Sequence, residues 1–117
     1  MTPEKEAAAL QVICDVAELY GITVAEIKSC RRFRKLADSR AVICHILCTQ
    51  CKFSYSEVAR MLNRTHATII NSVKNAEEWI KVPNINPEGA NAINKLTRKN
   101  NYKQRWKKMI NGNIYGK

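Results

Sequence analysis

No apolar run in these 117 residues approaches the length of a membrane-spanning helix, although 45% of the residues are hydrophobic. No secretory leader is read either. Residues 1–9 carry Glu4 and Glu6, and no apolar core follows a basic start, so a cytoplasmic protein is expected. The alternating pattern of β-strands is missing, as are internal repeats and low-complexity tracts, which leaves an all-α class. Histidine is limited to His45 and His66, and the acids are scattered over helix faces. No Ser/His/acid grouping is visible, and an enzyme is not expected. Acidic residues are few as well: 10 against 20 basic ones, a formal net charge of +10.

The five cysteines are an odd number, which argues against a disulfide framework in a cytoplasmic chain. Cys48 and Cys51 form a C-x-x-C with Cys44 and His45 nearby. A zinc site needs four ligands converging from a loop or from two elements. Here Cys44, Cys48 and Cys51 recur at four and three residues within one predicted helix, the spacing of a buried stripe. No metal and no cofactor are expected. His45 is read as a satisfied core histidine.

What is present is one core's worth of helix and an uneven charge that points to a polyanionic partner. Lys28, Arg31, Arg32, Arg34, Lys35 and Arg40 face one acid, Asp38, and eight basic residues with no acid follow from Asn91. Between these clusters, residues 53–77 read as two helices around a sharp turn. Ser54 and Glu57 make a capping box, with Phe53 and Val58 placed for the hydrophobic staple. Val58, Met61 and Leu62 give the first helix one apolar side, and Asn63 tolerates the left-handed conformation that ends it. Thr65 caps a second helix whose Ile69, Ile70 and Val73 point one way, while His66, Thr68 and Asn71 stay polar. That is the pattern of a helix-turn-helix, which places a helix N-terminus in the DNA major groove. An ordinary helical hairpin has the same pattern.

Along the rest of the chain, Thr2-Pro3-Glu4 starts a helix that runs to Tyr20 with Leu10, Ile13, Cys14 and Ala17 inward, and Gly21 ends it. Thr23 and Glu26 cap a short helix through Lys28, with Val24 and Ile27 inward. Residues 29–37 lack helical rhythm and read as a basic loop. Ser39 is placed to cap a core helix from Arg40 to about Gln50, and the second helix of the pair should run to about Ile80, with Trp79 and Ile80 in the core. Pro83 and Pro87 interrupt the chain, and Asn86 can start a helix carrying Ala90, Ile93 and Leu96 inward. A last basic helix is expected over 102–110, whose Arg105, Trp106, Lys107 and Lys108 can add phosphate contacts or form a solvated face, with a frayed end from Gly112. The expected organisation is a compact domain over 1–80, with residues 81–117 forming a connector and a basic helical extension packed on or flanking it.

The order of residues 13–32, the basic loop and the helix-turn-helix resembles the C-terminal DNA-binding domain of the bacterial replication initiator DnaA, over roughly residues 8–80. Asn63-Arg64-Thr65-His66-Ala67-Thr68-Ile69 stands where that family has a G-R-D-H-T-T-V signature. The resemblance implies a Trp-repressor/DnaA C-terminal-like all-α fold of about six helices. It also implies double-stranded DNA as partner. Arg32 matches the arginine that enters the minor groove, flanked by Arg31, Arg34 and Lys35. Arg64, Thr65, His66, Ala67, Thr68 and Asn71 fall at the recognition helix, and Arg40, Tyr55 and Ser56 match phosphate-contacting positions. Departures from the family pattern are Thr65 for its aspartate, Ala67 for a threonine, and a turn one residue shorter. They change the expected target, because threonine is a less selective hydrogen-bonder than aspartate and alanine offers only a methyl. No G-x-x-x-x-G-K-[ST] loop occurs, so a stand-alone domain without an ATPase module is expected. Thr65 and Ala67 equally suit an alternative, a related fold kept for a protein partner with incidental DNA affinity. RNA is less favoured, since the aromatics are not gathered on a sheet.

Overall fold

Glu26 and Glu57 sit three residues after Thr23 and Ser54, and each pair closes on itself to start a helix. Thr23 Oγ1 accepts from the Glu26 amide at 3.0 Å while Glu26 Oε1 accepts from the Thr23 amide at 3.0 Å. Ser54 and Glu57 repeat the exchange at 3.1 and 3.0 Å. These local signals set the frame of the chain. A computed structural model describes residues 3–100 together with Tyr102 and Gln104. Its helices are α1 (Pro3–Tyr20), α2 (Val24–Lys28), α3 (Arg34–Thr49), α4 (Tyr55–Leu62), α5 (His66–Lys81) and α6 (Pro87–Asn100), with no strand among the described residues. The expected cap at Thr2 and the basic helix and end beyond Gln104 lie outside the described residues.

The core forms around α3, which packs against α1, α5, α6, α4 and α2. Val42, Ile43, Cys44, Ile46 and Leu47 of α3 are all buried, the all-round apolar helix that its composition called for. Cys44 and Cys51 lie in this core and Cys48 packs against it. Burial pushes the Cys44 thiol up to about 12 and the Cys48 and Cys51 thiols to about 11, so all three stay protonated and inert. No group of three or more metal-ligating side chains gathers among the described residues. None of the described helices is long and apolar enough to cross a membrane.

Three expectations need correction. First, α3 begins at Arg34, after Phe33, and the basic loop shrinks to residues 29–33. Ser39 caps nothing; it is buried within α3, donating its hydroxyl to the Leu36 carbonyl at 2.7 Å. The inward row of the first turns is Leu36, Ser39, Arg40 and Ile43, and two polar members hide the rhythm from a count of apolar residues. Second, α1 turns Ala9, Val12, Ile13, Val16, Ala17 and Tyr20 inward. Leu10 is 49% exposed and Cys14 lies outside with it, one helical row away from the stripe. Third, Trp79 is buried but its neighbour Ile80 is exposed, since α5 buries the single row Ile69, Val73, Ala76 and Trp79 and Ile80 lies off it. A fourth detail concerns His45, which is buried as expected but not satisfied: its Nδ1 has no hydrogen-bond partner.

The chain beyond α5 joins the same core. Asn86 caps α6, its Oδ1 accepting from the Gly89 amide at 3.0 Å and its Nδ2 donating to Asp38 Oδ2 at 3.2 Å. Gly89 is required by contact: a Cβ there would lie 2.6 Å from Trp79 Cε3. Ala90, Ala92, Ile93 and Leu96 complete the buried face. Tyr102 donates to Asp15 Oδ2 at 2.7 Å, tying the chain back to α1.

Two stability predictions follow from these placements. Asn63 sits at φ 55°, ψ 51°, so Asn63→Gly should leave stability nearly unchanged, while Asn63→Val should cost about 1–2 kcal/mol in urea unfolding. For His45, burial pulls the imidazole below its ordinary value of 6.5, a shift the nearby Glu77 opposes. As pH falls below about 6.5 the unfolded chain takes up a proton that the folded one resists, so stability drops with acidification. Replacing His45 with leucine should flatten that drop in melts run from pH 7.5 to 5.5.

Candidate nucleic-acid interface

Asn63 turns the chain by adopting the left-handed conformation, and its amide and that of Arg64 close on the Arg60 and Ala59 carbonyls at 3.3 and 2.9 Å. Thr65 then caps α5, its Oγ1 accepting from the Thr68 amide at 3.2 Å and lying 2.8 Å from Thr68 Oγ1. Ile69, Val73, Ala76 and Trp79 anchor α5 to the core. The other side of its first turns carries Thr65, His66, Ala67, Thr68 and Asn71, all exposed. The Thr65 hydroxyl is engaged in the cap and with the Thr68 hydroxyl, while His66, Ala67, Thr68 and Asn71 are the exposed residues that follow it. The His66 ring meets Tyr55 edge-on with centroids 5.6 Å apart, joining the start of α5 to the start of α4. Tyr55 and Ser56 are both exposed at the N-terminus of α4, where the first amides of a helix face outward.

An acid at that same N-terminus is held in check by a residue sequence reading passed over. Lys5 Nζ donates to Glu57 Oε1 and Oε2 at 3.0 and 2.8 Å, and lies 4.9 Å from the Phe53 ring centroid. The Lys5 hydrogen bond, followed by that of the Ser54 amide, holds the Glu57 carboxyl below its usual range. Fifty-two residues separate the pair, and no local pattern announces it.

The basic segment divides by role. Arg31, Arg32, Arg34 and Lys35 are exposed, the first two on the loop and the others on the first turn of α3. Arg40 is different. It is 7% exposed, and its guanidinium points back under the loop. Nε donates to the Ile27 carbonyl at 2.7 Å and Nη1 to Arg31 at 2.8 Å, while Nη2 donates to Glu26 at 3.1 Å and Ser29 at 2.8 Å. Burial, then the charge of Arg64, pushes this guanidinium below its ordinary value, yet an arginine stays protonated. The phosphate role expected of Arg40 does not fit these contacts. Arg40 shapes the loop that presents Arg31 and Arg32.

Loop and recognition helix face each other across an open groove of about 770 Å³. Cys30, Arg32, Ala37 and Arg40 line one wall; Thr65, Thr68, Ser72 and Asn75, at one-face helical spacing, line the other, with Asn63 and Arg64 at the turn. The structure thus brings Arg32, Arg40, Arg64, Thr65 and Thr68 to one groove. His66, Tyr55 and Ser56 line a neighbouring recess. Ser72 and Asn75 were missed by sequence reading, although their three- and four-residue steps from Thr65 and Thr68 put them on the same row.

A short helix, a left-handed turn and a second helix with exposed small polar groups at its start define a helix-turn-helix domain. The chain belongs to the bacterial DnaA helix-turn-helix family, which matches over residues 10–76. It is 34% identical over 84 residues, 71% of this chain, to the chromosomal replication initiator protein DnaA of Wolbachia pipientis wMel. It spans 18% of that relative's length. No solved structure matches it significantly. Family membership and fold together support DNA binding by this domain.

The Arg40 placement has a direct check. Arg40→Ala removes four hydrogen bonds, those to Ile27 and Arg31 among them, and should lower stability by about 2–4 kcal/mol in urea unfolding. Arg40→Lys should recover little, because an ammonium cannot fork between separate acceptors. Full stability with only a shallower salt dependence of DNA binding would return Arg40 to the phosphate role.

Proposed function

We propose that this domain reads double-stranded DNA through two adjacent grooves at once, with the start of α5 in the major groove and the Arg31–Arg32 loop in the minor groove. One sugar–phosphate strand must then pass between the two elements. The observation that carries the reading is the open, arginine-lined groove separating them. Its Thr68, Ser72 and Asn75 side chains suit phosphate and sugar oxygens, and Arg32 on its rim suits the enhanced negative potential of a narrow A·T-rich minor groove. His66, Ala67, Thr68 and Asn71 are the base-reading set, Ala67 offering a methyl to thymine. Tyr55 and Ser56 hold a second phosphate at the α4 N-terminus, where Lys5 offsets the charge of Glu57. Arg34 and Lys35 add phosphate contacts beside the loop. The cellular role we assign is in replication initiation or its control, following the named activity of the DnaA relative. Because Thr65 caps instead of accepting from cytosine, the target sequence differs from one read by an aspartate.

Selection from a random duplex library at physiological salt tests the reading, and an enriched motif with an A·T-rich flank is the expected result. With about four phosphates neutralised, log affinity should fall against log salt with a slope of about −3.6, steeper by about 0.9 for each further contact. Arg32→Ala and His66→Ala should each relax discrimination between sites by about 1–3 kcal/mol. A slope near zero, or no enriched motif, rejects paired-groove reading.

A further inference from the structure

We propose that Arg64 is a positioning residue: it sets the distance between the two DNA-reading elements through the Ser29 carbonyl instead of touching DNA. This rests on the paired-groove reading above. Arg64 belongs to the turn of the helix-turn-helix, and its backbone is pinned there by the hydrogen bond its amide donates to the Ala59 carbonyl at 2.9 Å. Its guanidinium reaches in two directions. Nη1 donates to the Asn63 carbonyl at 3.0 Å, inside the turn, and Nη2 donates to the carbonyl of Ser29, 35 residues away at the end of α2. Ser29 opens the loop that carries Arg31 and Arg32, and its own hydroxyl accepts from the Arg31 amide at 3.3 Å.

The same Ser29 oxygen accepts from Arg40 Nη2 at 2.8 Å. A carbonyl has two lone pairs, so both guanidiniums are accommodated. One acceptor therefore joins three segments: the loop through its own backbone, α3 through Arg40, and the turn through Arg64. The half-buried Arg64 side chain is directed into this junction. DNA bases rise about 3.4 Å along a strand, so slack of that size between turn and loop moves the minor-groove contact by one base pair. A fixed tie at Ser29 makes the domain selective for the spacing between the two parts of its site, beyond the identity of either part.

The test uses the full chain with Arg64→Ala and Arg64→Lys, the second keeping the charge but losing the planar fork. Duplexes carry the selected motif with its A·T-rich flank moved one base pair inward or outward. The wild type should prefer the selected spacing by about tenfold, and both variants should reduce that preference to about threefold or less. In the DNA-free protein, the amides of Cys30, Arg31, Arg32 and Phe33 should exchange with solvent faster in both variants. Unchanged spacing preference and unchanged loop exchange overturn the proposal. So does an Arg64→Ala protein that loses affinity equally at every spacing, with a salt slope shallower by about 0.9 and a normal Arg64→Lys counterpart, since that is a phosphate contact. A wild type indifferent to spacing refutes paired-groove reading instead, and the exchange rates then decide the Ser29 tie independently.

Discussion

Arg40 donates to the carbonyls of Glu26, Ile27, Ser29 and Arg31, and the outward face of the domain depends on that set of bonds. Burying a guanidinium is costly unless its N–H groups find partners, and here four of them do. The partners gain as well. Glu26 and Ile27 lie in the last turn of α2, a five-residue helix whose final carbonyls are met by the Ser29 cap and by Arg40. A cation at a helix C-terminus meets the negative end of its dipole, so the charge is placed where the field favours it. Remove the clamp and α2 loses its terminus, the loop its shape, and Arg31 and Arg32 their direction. A charged residue in the core thus shapes the loop on which two other charged residues stand outside it.

The architecture reads from sequence wherever it is set within a few residues. Both capping boxes, the Thr65 cap and the Asn86 start are local exchanges between a side chain and the backbone three residues on, the left-handed Asn63 is a local backbone choice, and each occurs as its residues imply. Reading fails where the partner is distant. The start of α3 is hidden because two core-facing positions are polar, Ser39 bonded back to Leu36 within the helix and Arg40 held by partners in α2 and the loop. The Lys5–Glu57 pair joins residues 52 apart, and the Arg64–Ser29 bond residues 35 apart. Leu10 and Cys14 were assigned inward because apolar character was taken as direction, while α1 in fact buries the adjacent row headed by Ala9. Of the groove-lining residues, the arginines and threonines were visible as chemistry, and which of them face the groove was not.

The described residues past α5, Pro87–Asn100 above all, pack into the same core. Gly89 admits the Trp79 ring at a distance no side chain would tolerate, and Asn86 reaches from the α6 cap to Asp38 on α3. Asp38 also lies 3.9 Å from Arg34. The far end of α5 is therefore braced by α6, and through Asp38 the same brace touches the helix that begins the basic face. Through Trp79 and Asp38, α6 is thus in direct contact with residues of both groove walls.

The thiols fall into two reactivity classes. Cys44, Cys48 and Cys51 are kept protonated by the core, whereas Cys14 and Cys30 stand exposed, and Cys30 lies on the wall of the groove beside Arg32. A thiol reagent therefore meets one sulfur on the back of α1 and one within the groove, so alkylation at these two positions compares an occupied groove with an internal reference in a single native chain.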